Sequence, residues 1–140
     1  PGIAEDVQVM GINLRFNGII SGRLRELAIL TTAHYWNAEY EWGSHVPIAK
    51  KEGLSSAVIS AIKNNQPPDF PNDDEKTIHR FCWELHEKHA VSSATYDATT
   101  AILGHDGVVE LTALNGYYTI ISMILNTFQV SAPNVEGEIS

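Results

Sequence analysis

Thiols, basic charge and long apolar runs are all scarce in this sequence, and each shortage removes a class of function. Cys82 is the only cysteine in 140 residues, so the chain can form neither an internal disulfide nor a thiol pair for dithiol chemistry. Its neighbours Phe81 and Trp83 favour a buried, structural thiol. Nine Lys and Arg stand against seventeen Asp and Glu, a formal net charge of -8. Phosphate binding needs clustered cations, so neither nucleic acid nor an anionic membrane is an expected partner. No apolar run approaches the roughly 20 residues of a spanning helix, and no basic segment followed by an apolar one opens the chain. A cytoplasmic protein is the expectation. GxGxxG and Walker patterns are missing, and Gly43-Ser44-His45 does not match the GxSxG elbow of serine hydrolases.

What is present is an ordinary globular composition, 44% hydrophobic and 19% charged, with enough length for one domain over residues 1–140. Residues 1–20 carry Gly2, Gly11 and Gly18 among apolar residues of no sustained period and are expected to be an irregular arm. From Ser21, a candidate cap, helical spacing of Leu24, Leu27, Ala28 and Leu30 predicts helix from about Gly22 to about Lys51, with Asn37 and Pro47 as possible interruptions. Gly53 ends this region. Ser55 or Ser56 opens a short helix to about Lys63, and the proline-rich stretch 64–74 is a loop.

Asp73 or Asp74 is expected to cap a helix reaching about Lys88, and Ser92 or Ser93 another reaching about Leu103. Gly104 to Gly107 reads as a turn. The last helix, from near Asp106, has an apolar surface too broad for one buried stripe, so it is either central to the core or shared with another subunit. Residues 129–140 read as a tail. With no repeat and no convincing strand pair, the fold class is all-α with five to six helices.

The chemically informative stretch runs from His34 to His45. At about 100° per residue an unbroken helix would align His34, Glu41 and His45. A break at Asn37 would remove His34 from that line but leave Glu41 and His45 one turn apart. A Glu/His pair among Leu30, Ala33, Trp36 and Trp42 suits proton transfer if buried, whereas on a solvated face it is only an i,i+4 pair. His34 lies two turns from Glu41, which disfavours one metal ion held by all three, and no metal is expected. His79, His86 and His89 share their helix with Glu75, Arg80, Glu84 and Lys88 and are expected on a solvated surface without chemistry.

The segment Arg23–Leu30, followed by Asn37, Tyr40-Glu41-Trp42 and His45, resembles the core motif of the carboxymuconolactone decarboxylase and AhpD-like superfamily. So do Ala49 to Leu54, Glu84-Leu85, Val109-Glu110-Leu111 and Gly116-Tyr117-Tyr118, and the likeness covers about residues 20–128. In the peroxidase branch a CxxC pair precedes a histidine. Here its positions are Ala38 and Glu41, so the resemblance implies the AhpD-like fold without a thiol peroxidase cycle.

The resemblance leaves Glu26, Glu41 and His45 as the catalytic set. It implies His45 as the principal acid/base, Glu41 as its partner or a second base and Glu26 as the group that orients His45. His34, Asn37 and Trp42 are expected to bind substrate. A cofactor-free lyase or isomerase for a small conjugated or β-keto carboxylic acid or lactone is the implied activity, and a non-catalytic oligomer is the alternative. Family habit implies a homo-trimer or homo-hexamer.

Overall fold

The computed structural model describes residues 2–131, and six helices carry almost all of them: α1 (Gly2–Phe16), α2 (Gly22–Tyr35), α3 (Glu39–Lys51), α4 (Ser56–Lys63), α5 (Asp73–Lys88) and α6 (Ser93–Thr127). No strand occurs among the described residues, so the class is all-α. The expected tail falls, from residue 132 on, outside the described residues.

The central element is α2, which packs on α3, α5 and α6. From Glu26 to Ala33 every residue is buried, and Leu27, Ile29 and Leu30 have no exposed surface. A helix enclosed on all sides has no polar face, which is why its sequence shows helical spacing but little amphipathicity. Truncating Leu27 or Leu30 to Ala would cost on the order of 2–5 kcal/mol through lost burial and the cavity left behind. Around α2 lie Ala49 of α3, Val58, Ile59 and Ile62 of α4, Ile78 and Phe81 of α5, and Leu111, Leu114 and Tyr118 of α6.

The first twenty residues overturn the expectation of an irregular arm, since Gly2–Phe16 is a helix. Its periodicity was weak because this chain buries almost none of it. Gly11 is its one buried residue, and Ile3, Val9, Ile12 and Phe16 are exposed. Gly11 serves close approach: a Cβ there would stand 2.2 Å from the Tyr117 hydroxyl of α6.

The long helical region divides at Asn37, whose φ of 51° is left-handed, a conformation Asn tolerates better than most residues. Pro47, in contrast, sits inside α3 without ending it. Ser21 occupies the N-cap position of α2 without a side-chain bond, whereas Ser55 caps α4 by accepting from Val58 N–H at 3.1 Å. One cap position differs from expectation. Asn72, not Asp73 or Asp74, precedes α5, and the two aspartates lie in its first turn, where negative charge suits the helix dipole. Asp74 and the fully buried Glu75 both bind Arg23, which fastens α5 to α2.

The expected turn at Gly104–Gly107 contracts to one residue. Gly104 alone leaves the helical region (φ 72°, ψ 173°) and kinks α6. Against the expectation that no segment is apolar enough to span a membrane, α6 could do so by length and composition, yet Leu111, Leu114 and Tyr118 belong to the core. Its other side leaves Val109, Ile120, Met123 and Ile124 exposed. Two glutamates tie connections to helices. Glu110 accepts from the N–H groups of Ile19 and Ile20 ahead of α2, and Glu84 accepts from Ser92 N–H and the Thr95 hydroxyl at the start of α6.

Candidate active site

Reversal of the chain at Asn37 lays α3 back along α2 and brings together two groups nineteen residues apart. His45 Nδ1 donates to Glu26 Oε1 at 2.6 Å, and both side chains are buried. Glu26 is also held by Arg25, whose Nε donates to Oε2 at 3.0 Å. On the far side of the imidazole, Nε2 lies 3.1 Å from Glu41 Oε2, one helical turn away. That carboxylate oxygen is buried and makes no well-aligned hydrogen bond, so the contact is electrostatic and the Nε2–H is not fully committed. The Tyr118 ring stands edge-on to the imidazole at 5.5 Å.

Charge in this group is determined by competition. Burial opposes an imidazolium, but the bond to Glu26, the contact with Glu41 and the field of both carboxylates outweigh it and raise His45 to about 9. For Glu26, burial favours the neutral acid, and the bonds and charges of His45 and Arg25 reverse this and lower its pKa. A carboxylate with no exposed surface is tolerable because both oxygens are paired with cations. At neutral pH Glu26 and His45 therefore form a carboxylate–imidazolium pair, with Glu41 on the far side of the ring.

Glu41 and His45 line a partly open cavity of about 240 Å³. Tyr117 and Tyr118 form one wall, and α1 supplies another through Gly11 and Arg15. Arg15 Nε is buried without a hydrogen-bond partner, and its guanidinium forms no ion pair among the described residues. The Arg25 guanidinium donates to the Arg15 carbonyl at 3.0 Å, linking α1 to the helix that carries Glu26. Sequence reasoning missed Arg15, Arg25 and the wall role of Tyr117. Gly116-Tyr117-Tyr118 was a marker within reach, but nothing in the first twenty residues signalled a site.

Glu26, Glu41 and His45 converge, whereas the three residues expected to bind substrate do not join them. His34 and Asn37 line a different cavity of about 590 Å³, where His34 Nε2 lies 2.8 Å from Asn65 Oδ1. Trp42 lines neither cavity and packs against the core, its ring 5.8 Å from that of His34. The break at Asn37 is responsible, because it turns α3 out of line with α2 and points His34 away from Glu41.

The larger cavity also corrects the reading of the second histidine group. His79 and His86 are part-buried in its wall, and burial lowers the pKa of each. Only His89, exposed at the end of α5, fits a solvated surface. Glu75 and Glu84, taken as signs of a wet helix, are themselves buried structural ligands. No three His, Cys, Asp or Glu side chains among the described residues are grouped to hold a metal ion. Cys82 is buried as expected, and burial pushes its thiol up to about 12.

No family model matches the sequence, and no curated protein does. A solved structure is similar. It is that of an Agrobacterium tumefaciens protein described as of unknown function, with AhpD-type antioxidant defence as its suggested role. The likeness has a TM-score of 0.82 and 15% sequence identity and covers 95% of this chain and 92% of that one. Such similarity shows architecture, and in architecture this chain is an AhpD-like helical domain.

Proposed function

We propose that this protein is a cofactor-free acid/base enzyme, a decarboxylase, isomerase or related lyase acting on a small conjugated or β-keto carboxylic acid or lactone. The observation that carries this reading is the buried Glu26–His45–Glu41 row ending at a cavity. A row with no task beyond structure would be better replaced by apolar residues, since buried ion pairs seldom stabilise more than well-packed hydrophobic ones. Perturbed titratable groups at a cleft are a mark of function.

In this reading Glu26 fixes the imidazole ring, and the imidazolium Nε2–H is the acid. A β-keto acid loses CO2 when its C–C bond breaks and the electron pair moves into the carbonyl, forming an enolate. His45 delivers its Nε2 proton to the carbanionic carbon and regains one from solvent through the open cavity. In an isomerisation Glu41 removes the proton that His45 returns at another carbon. Arg15 faces this cavity beside the His45 imidazolium, and its lack of an ion-pair partner among the described residues supports a substrate carboxylate there. At about 240 Å³ the space is below the usual range for drug-sized ligands and suits an acid of few heavy atoms.

Positions 38 and 41 hold Ala and Glu, which supports proton transfer over thiol peroxidase chemistry. The exposed apolar side chains of α1 and α6 support a homo-trimer or homo-hexamer in which copies of the chain cover them. Light scattering on the purified 15.4 kDa chain tests this, and a monomer at micromolar concentration would overturn it.

The enzyme reading is tested by incubating the protein with β-keto and muconolactone-type acids. CO2 release and deuterium incorporation from heavy water are followed. His45→Ala and Glu41→Gln are expected to lower turnover by about 10²- to 10⁴-fold. Turnover unchanged in both variants would rule out these residue roles, and no turnover of any of these acids would leave a non-catalytic oligomer as the better description.

A further inference from the structure

The larger cavity, which the catalytic reading does not use, has polar groups of fixed hydrogen-bonding sense. Thr32 Oγ1 lies 3.0 Å from Ala28 O, 3.2 Å from Asn115 Oδ1 and 2.9 Å from His86 Nε2. Two of these partners are carbonyl oxygens, which can only accept, and the Thr32 hydroxyl has one proton for them. It therefore accepts from His86, so the proton of the neutral imidazole sits on Nε2. Asn115 is itself fixed, its amide donating to Leu111 O and Cys82 Sγ. The opposite nitrogen of His86, Nδ1, is left as a bare acceptor. It forms no hydrogen bond among the described residues and is not among the buried unpartnered atoms, so it is not fully buried.

His34 Nε2 also makes a polar contact in this cavity, 2.8 Å from Asn65 Oδ1. His79, neutral through burial, has no hydrogen-bond partner and offers a third imidazole. The walls are flat: the Tyr35 ring stacks on His86 at 5.2 Å with 19° between planes, and Trp83 lies alongside. No Lys or Arg lines the cavity, and its one charged residue, Glu87, is exposed. The Lys88 ammonium lies over the Trp83 ring, 5.5 Å from its centroid, but is not part of the lining, so no Lys or Arg within the cavity fixes an anion. A volume of about 590 Å³ is in the usual range for a small-molecule site.

We propose that this cavity is a second ligand site, for an uncharged hydroxyarene that stacks between aromatic side chains and donates its hydroxyl proton to His86 Nδ1. Stacking selects the ring, the acceptor nitrogen selects a donor at its edge, and a lining without Lys or Arg disfavours carboxylates and phosphates. The site stands apart from Glu41 and His45 and does not depend on their role.

The experiment uses three two-ring probes, 2-naphthol, its methyl ether and 2-naphthoate, titrated into the intact protein. Binding is followed by calorimetry and by the histidine ring C–H signals in NMR. 2-Naphthol should saturate one site per chain and shift the His86 and His79 signals without moving those of His45. The ether, lacking the donor, and the carboxylate should bind at least about tenfold more weakly, the scale of one hydrogen bond. His86→Phe should remove the preference for naphthol over its ether. Because His86 also supports Thr32, Trp83→Ala, at an exposed wall position, provides a second variant and should weaken all binding in the cavity. Equal affinity for naphthol and ether, binding that shifts His45 instead, or no effect of either substitution would overturn the proposal.

Discussion

Glu26 Oε1 and His45 Nδ1 are 2.6 Å apart in the interior, and this one bond couples the charge of the candidate active site to the stability of the fold. The folded pKa of His45, about 9, lies above the ordinary histidine value of 6.5. Its contribution is therefore fully present below pH 6.5 and is lost as pH rises to about 9. The melting temperature should fall across that window. In Glu26→Gln the fall should shrink, and the variant should lose on the order of 3–5 kcal/mol, as expected for breaking a buried ion pair. An NMR titration that places the His45 midpoint at or below 6.5 in the wild type would refute this coupling.

Gly11 and Tyr117 give a prediction about α1. Alanine favours helix over glycine by about 1 kcal/mol, so Gly11→Ala would stabilise an isolated α1. In the folded chain its Cβ would meet Tyr117 Oη at 2.2 Å and Cζ at 2.7 Å, so either the Tyr117 ring swings aside, against Tyr118 packed edge-on to it at 4.9 Å, or α1 moves away. Gly11→Ala is therefore expected to release α1 from α6, seen as faster amide exchange over residues 2–16 and greater access to Glu41. The core should melt almost unchanged, because Gly11 is the only residue of α1 that is buried. Unaltered exchange in α1 would show that the contact does not hold it.

Cys82 tests the inert-thiol reading. With burial pushing its pKa to about 12, the thiolate is negligible at pH 8, and iodoacetamide should label the native protein only at the rate of unfolding. Stoichiometric labelling within minutes under native conditions would contradict the burial. Cys82→Ser should cost stability without changing turnover, because its Sγ contacts Asn115 and lies outside the Glu26–His45–Glu41 row.

The elements whose character depends on neighbouring residues were legible in the sequence. Ser55 caps α4, Gly53 follows α3 with φ of 100°, and Asn37 separates α2 from α3. Cap chemistry and left-handed turns are local effects, so the chain displays them without its fold. The i,i+4 spacing of Glu41 and His45 belongs to the same class, because one helical turn fixes it. α1 was not legible, since a helix that buries one glycine leaves no apolar stripe to read. The second histidine group failed for a related reason. Whether Glu75, Glu84, His79 and His86 are wet or buried depends on what α5 packs against, not on α5.

The sequence by itself determined that the chain is helical, has no thiol pair, and carries a glutamate and a histidine one turn apart. Tertiary structure alone decided that Glu26 reaches His45, that Arg15 and Tyr117 close the space beside it, and that His34 and Asn37 face another cavity. The physical reason is range. Helix spacing and capping act over one or two turns, whereas ion pairing at His45 depends on how α2 and α3 fold back on each other, and the cavity walls on where α1 and α6 come to rest.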